Sequence, residues 1–163
     1  MEVVKEGLKI DSQWILEKYK GDIKPGDKPF ETRIVKGNLG LNEGITEILN
    51  LITGLGTPTA YNNANARIGI GDSDVAAEAT QTGLQAATNK IWKAMDSGYP
   101  TVAAQTVTFR VTTATSEANW AWKEYTVVNA ADDSGKNVNR KVEPLGTKPN
   151  TESWVLSLQM TVT

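Results

Sequence analysis

The residue types of a hydrolase meet once in this chain, at Gly71-Asp72-Ser73, where a serine follows a glycine and a carboxylate. A serine acts as a nucleophile only when a general base takes its proton and donors stabilise the oxyanion. The sequence contains no histidine and no cysteine. Ser-His and Cys-His pairs, imidazole metal ligands and thiol nucleophiles are therefore excluded, which leaves carboxylate, lysine and tyrosine chemistry. The plainer reading of the triplet is a strand ending in a glycine turn, with Asp72 and Ser73 bonding their own backbone. No catalytic residue is assigned, and the chain is expected not to be an enzyme.

Asp72-Ser73-Asp74 sets two carboxylates at i and i+2, as at the start of a calcium loop. The third ligand, central glycine and distal glutamate of an EF-hand are missing at that spacing, and Glu78 would need a folded-back loop. Gly54-Leu55-Gly56 and Gly69-Ile70-Gly71 lack the further glycine or Gly-Lys-Ser/Thr of a nucleotide site. No metal and no cofactor is expected. Lys136, Arg140 and Lys141 cluster, but Asp132, Asp133 and Glu143 balance them, so nucleic acid is not an expected partner.

Other candidates concern structure and contact. Glu124 falls in the alternation of 118–129, on the face that carries Trp120, Trp122, Thr126 and Val128. A carboxylate there sits at a sheet rim or is buried and paired, with Arg67, Arg110 or Arg140 as partner. Trp120, Trp122 and Trp154 could stack sugars, but their places on the apolar faces of alternating strands favour a core. Trp92 and Tyr99 lie in a linking region and are candidates for interface anchors. Trp14 and Phe30 are the equivalent candidates near the N-terminus.

These residues need a scaffold. The chain has 163 residues, 39% hydrophobic and 22% charged, with net charge −2. One domain of that size can bury about 70% of its unfolded surface. No apolar run approaches the ~20 residues that span a bilayer, and no membrane partner is expected. The first six residues surround a short apolar pair with charge, unlike a signal peptide.

Charge concentrates early: residues 1–38 hold eight Lys/Arg and seven Asp/Glu. This segment reads as a charged N-terminal arm or edge hairpin, with strands at 2–10 and 30–36 and an exposed loop at 18–28. Trp14, Ile15 and Leu16 are its anchors. Removing 1–36 is then expected to leave the rest folded. Residues 41–55 form the one helix, with Leu41, Ile45, Ile48, Leu49 and Ile52 at helical spacing and Gly54, Gly56 and Pro58 ending it.

Alternation then predicts strands at 66–70, 106–113, 118–129, 138–145 and 153–163. Asp132-Asp133-Ser134-Gly135-Lys136 reads as a hairpin turn. The expected fold is mainly β. It is an antiparallel β-sandwich or jelly-roll-like domain over 39–163, with one α-helix and an extended N-terminal arm.

From residue 37 onward the chain resembles small structural proteins of tailed bacteriophages. The matching segments are Lys36-Gly-Asn-Leu-Gly-Leu-Asn-Glu-Gly-Ile45, Asn62-Asn-Ala-Asn-Ala-Arg-Ile-Gly-Ile-Gly-Asp-Ser73 and Thr80-Gln-Thr-Gly-Leu-Gln-Ala-Ala-Thr-Asn-Lys90. Gln105-Thr-Val-Thr-Phe-Arg110, Ala118-Asn-Trp-Ala-Trp122 and Asn139-Arg-Lys-Val-Glu143 complete them. These segments fall in order over residues 37–163, a span of about three quarters of the chain that ends on the last strand. The layout is also distantly similar to the N-terminal domain of phage tail-collar fibre proteins.

The resemblance implies a non-catalytic virion protein, assembled in the host bacterial cytoplasm. Its implied partners are the major capsid protein or other virion proteins, and symmetric repetition implies a homo-oligomer. A capsid decoration (cement) protein is the leading expectation, with the arm adding a strand to a neighbouring subunit. A tail, collar or fibre-attachment component is the alternative. A carbohydrate-binding module using exposed tryptophans is a third reading, from another class.

Overall fold

The alternating stretches become strands, and their alternation decides which face is dry. A computed structural model of the chain describes residues 7–163. Its elements are β1 (Ile10–Lys20), β2 (Glu31–Lys36), β3 (Leu39–Gly40), α1 (Asn42–Thr53), β4 (Arg67–Gly71), β5 (Lys90–Ala94) and β6 (Thr101–Ala103). After them come β7 (Thr106–Thr113), β8 (Ala121–Val128), β9 (Asn139–Thr147) and β10 (Glu152–Val162). Two five-stranded antiparallel sheets result, ordered β2-β1-β10-β7-β6 and β3-β9-β8-β4-β5. The fold is the mainly β, sandwich-like domain with one helix that the sequence predicts. Among the described residues no helix is long and apolar enough to cross a membrane.

Register lines the core up in rows. Val35, Trp14, Leu158 and Phe109 lie side by side across the first sheet, and Leu16, Leu156 and Val111 form the next row. From the second sheet, Ile68 and Ile70 meet them beside Val127 and Tyr125. Two edge-to-face aromatic pairs join this packing: Trp14 with Tyr125 at 4.8 Å between centroids, and Trp122 with Trp154 at 4.9 Å. Each such pair adds about 0.5–1.5 kcal/mol beyond its buried area.

The N-terminal segment differs from expectation. β1 runs over 10–20, not 2–10, and takes in part of the predicted 18–28 loop. The strand and the extended arm, where they fall on residues 1–6, lie outside the described residues. β1 pairs with β10 over its whole length, while β2 forms the sheet edge. Trp14 and Leu16 are buried in the common core rather than anchoring a separate arm. The period of two that buries them is interrupted by Lys18 on the same face, which masks the strand in the sequence. Arg33 on β2 also ties the sheets together, donating to the Pro144 carbonyl at 2.9 Å and to Glu143 at 3.0 Å.

The helix shows a second difference. It starts after Leu41 and ends on Gly54, whose φ of +69° is the left-handed conformation that glycine adopts without strain. Leu41 is buried and Ile48 packs on the core, but Ile45, Leu49 and Ile52 face solvent. The short strands β3, β5 and β6 have no counterpart among the predicted elements.

Two lysines fasten the turn at 114–119. Lys148 is almost fully buried, and its ammonium donates to the Ala114 carbonyl at 2.7 Å and to Asn119 Oδ1 at 2.9 Å. Burial pulls its pKa down. Lys93 on β5 donates to both Glu117 oxygens, and Glu117 accepts the Ala114 N–H. Partial burial pushes the Glu117 carboxyl up. The Lys93 and Ala114 donors outweigh it and hold the group below its ordinary 4.5.

Two expectations follow. Deleting residues 1–36 removes two strands and Trp14, so the remainder should lose cooperative unfolding and its near-ultraviolet circular dichroism. A truncated protein that keeps both would show the hairpin to be dispensable. The depressed Glu117 pKa contributes stability that is complete above about pH 4.5 and is lost as pH falls through the lower native value. Glu117→Gln should therefore be less stable than the parent at neutral pH, with the gap closing in acid. A gap that stays constant from neutral pH to pH ~2.5 in urea titrations would rule this out.

Candidate functional site

The serine of Gly71-Asp72-Ser73 sits where β4 ends and a long connection, residues 72–89, begins. Ser73 Oγ accepts the Val75 N–H at 3.2 Å, a local turn contact. The Asp72 carboxylate instead accepts from Asn89 Nδ2 at 2.7 Å, across the base of the loop. Asp74 faces Lys123 at 3.4 Å. The two carboxylates of the calcium-like pattern are thus turned to separate partners. No group of three or more His, Cys, Asp or Glu side chains converges on a common point among the described residues.

Connections of this length without secondary structure are uncommon in compact domains. This one is ordered by a buried ion pair beneath it. Glu124 on β8 and Arg140 on β9 are both fully buried. Arg140 Nε donates to Glu124 Oε2 at 2.8 Å, and Nη2 lies 2.7 Å from the same oxygen, off the line of a hydrogen bond. The carboxylate also accepts two loop amides, Gln85 N–H at 3.0 Å and Ala86 N–H at 2.7 Å. From the other end of the pair, Arg140 Nη1 donates to Gln81 Oε1 at 2.8 Å and to the Ala76 carbonyl at 3.2 Å. Both charges are spent on holding the loop.

A second carboxylate completes the clasp. Asp133, in the β8–β9 turn, accepts the Leu84 N–H at 3.1 Å and Trp92 Nε1–H at 2.9 Å. Burial pushes the Asp133 carboxyl above its ordinary value against the pull of these donors. The carboxylates lie so close to the backbone that side chains are excluded there. A Cβ on Gly71 would sit 2.4 Å from Glu124 Oε1, and one on Gly83 2.2 Å from Asp133 Cγ. Gly83 also has φ of +137°, a conformation that L-residues rarely adopt.

The expected face of β8 changes partway along it. The pairing of β8 with β9 is irregular between Trp122 and Glu124. A bulge of this kind turns the residues after it to the opposite side. Trp122 points into the core, and so do Tyr125 and Val127, which accompany Ile70 and Ile68. Glu124 therefore leaves the tryptophan face on which strict alternation places it, and meets the loop.

The other singled-out aromatics are dispersed. Trp14 is in the core. Trp92 is on β5, not in a linker, and is half-buried against Asp133 and Gly69. Tyr99 is half-buried, with the Arg110 guanidinium 5.5 Å from its ring. Phe30 is exposed, with Lys20 Nζ 4.1 Å from its ring centre. Trp122 and Trp154 are fully enclosed and offer no stacking platform for a sugar. The structure brings Trp92 and Glu124 to one place through residues 83–86, and sets the others apart. Sequence reasoning missed Gln81 and Asp133, because a glutamine between threonines and an aspartate in a hairpin turn both read as solvated.

Replacing Glu124 by alanine should cost about 3–5 kcal/mol, because it strands a buried guanidinium and two loop amides. In guanidinium titrations Arg140→Met added to Glu124→Ala should recover part of that loss. An unchanged midpoint for Glu124→Ala would refute the clasp.

Comparison of the chain with protein-family models, curated proteins and solved structures gave no match.

Proposed function

We propose that this protein is a non-enzymatic structural component of a tailed-phage virion, acting as a capsid decoration protein that binds the head surface and stabilises the particle. The observation that carries the reading is the occupation of the residues behind the phage-protein resemblance. Gly71, Gln81, Gly83, Leu84, Ala86 and Arg140 all belong to those matching segments. Each serves the loop clasp, by hydrogen bonding or by close packing. On this reading the matching segments serve architecture, with their polar atoms committed to internal partners.

The remaining surface suits repeated contact. The outer face of the first sheet is a polar ladder, in which Gln13 donates to Gln159 at 2.8 Å and Thr106 and Thr161 share a hydroxyl contact at 2.8 Å. The same face carries Asp11, Glu17, Lys36 and Arg110, two charges of each sign, and an ordered face of this kind can meet many copies of one subunit without reshaping. The major capsid protein is the partner this reading assigns.

Cryo-electron microscopy of the phage particle tests the assignment. The expected result is density for two facing five-stranded sheets, repeated over the head. Heads lacking the protein should open at lower temperature than decorated heads. Density confined to the tail or collar would overturn the decoration reading in favour of a tail component.

A further inference from the structure

α1 turns its apolar side away from the protein. Its inward side is largely polar. Glu47 accepts the Thr59 N–H at 2.7 Å and Asn129 Nδ2–H at 3.0 Å. One turn earlier, Glu43 accepts Asn137 N–H at 2.8 Å and Nδ2–H at 3.1 Å. Gly44 fits between them so closely that a Cβ would lie 2.3 Å from the Asn137 carbonyl oxygen. Rotating the helix would strand these donors and push a side chain into the backbone, so its orientation is fixed.

The consequence is a bare aliphatic stripe. Ile45, Leu49 and Ile52 are 48%, 56% and 75% exposed, and their i, i+4, i+7 spacing puts them in one line. Leu55, beyond the Gly54 cap, is 65% exposed. Contiguous apolar surface of this kind marks a contact site. The stripe and its rim of Asn42, Thr46 and Thr53 carry no ionisable group. Both charged residues of α1 are the inward Glu43 and Glu47, and residues 54–60 have none.

We propose that this stripe packs against the same stripe of a second copy of the chain, the two helices antiparallel about a two-fold axis near Leu49. Charge selects that occupant. A two-fold contact sets a patch against itself, so any net charge within it meets like charge. An uncharged patch with neutral amide and hydroxyl groups at its rim, able to donate and accept, complements itself. The antiparallel arrangement also sets opposite helix dipole ends side by side. A nucleic acid finds no cation here, and a lipid surface finds neither the basic rim nor the aromatic residues of an interfacial helix. The proposal does not depend on the virion reading.

The absence of cysteine makes the test clean, because an introduced thiol is the sole one in the chain. Sedimentation velocity of the full chain at micromolar concentration should show a dimer. Leu49→Cys should oxidise to a covalent dimer, and Ser116→Cys, in the turn before β8, should not. Ile52→Lys should weaken the dimer about a hundredfold or more while leaving the circular dichroism unchanged, since Ile52 is mostly exposed. A monomeric wild type would overturn the proposal. So would a dimer that survives Ile52→Lys and fails to cross-link through position 49.

Discussion

The Glu124 carboxylate, buried between β8, β9 and the connection over 72–89, is the contact on which the second sheet depends. A buried charge of this kind is costly unless opposite charge and hydrogen bonds compensate it. Here one guanidinium and two main-chain amides do so, and the guanidinium reaches further to Ala76 and Gln81. The ion pair thereby turns a long irregular segment into a lid on the outer face of β4 and β8. That lid lets a sheet of modest width be buried on both sides. Gly69 approaches Leu84 and Trp92 beneath it, and Thr126 is buried beside them.

The two sheets solve different problems. The first is held by register, with aliphatic and aromatic rows running across four strands and a polar ladder outside. The second is held as much by buried polar groups as by its apolar residues. Asp133, Asn137, Asn139 and Lys148 are spread around its margins, each tied to a loop or a neighbouring strand. Arg33 bridges from the edge of one sheet to the end of β9 in the other. Loss of an apolar row would soften the first sheet, whereas loss of a single charge would release a loop from the second.

Much of this was legible in residue order, and the limits are instructive. β7 and β10 alternate without interruption, so both their extent and their buried faces could be read directly. The C-terminal end of α1 was marked by Gly54 and Pro58. Its apolar spacing put Leu41, Ile45, Ile48, Leu49 and Ile52 on one face, whereas the structure divides them, Leu41 and Ile48 inward and Ile45, Leu49 and Ile52 outward, because the inward side is taken by Glu43, Gly44 and Glu47. For β8 the alternation failed at the bulge between Trp122 and Glu124, which reverses sides without changing composition. Arg140 was one of three arginines that could have met Glu124, and only register separates them. The segments β3, β5 and β6 are too short or too polar for a pattern to emerge.

The position of β10 has a consequence for how the chain assembles during synthesis. β1 is made early, yet one of its long neighbours, β10, is 146 residues away by the Gln13–Gln159 contact. The strands of the second sheet lie wholly between them in the chain, over 39–147. On a ribosome, that sheet emerges with all its partners while β1, paired only with β2, still lacks β10. The first sheet closes only when the β10 segment arrives and threads between two strands already made. Long-range pairings of this sort are the slow step in β-rich folds. Until then Trp14 and Leu16 wait as uncovered apolar surface on a nascent hairpin, exposed to chaperones and to neighbouring chains alike.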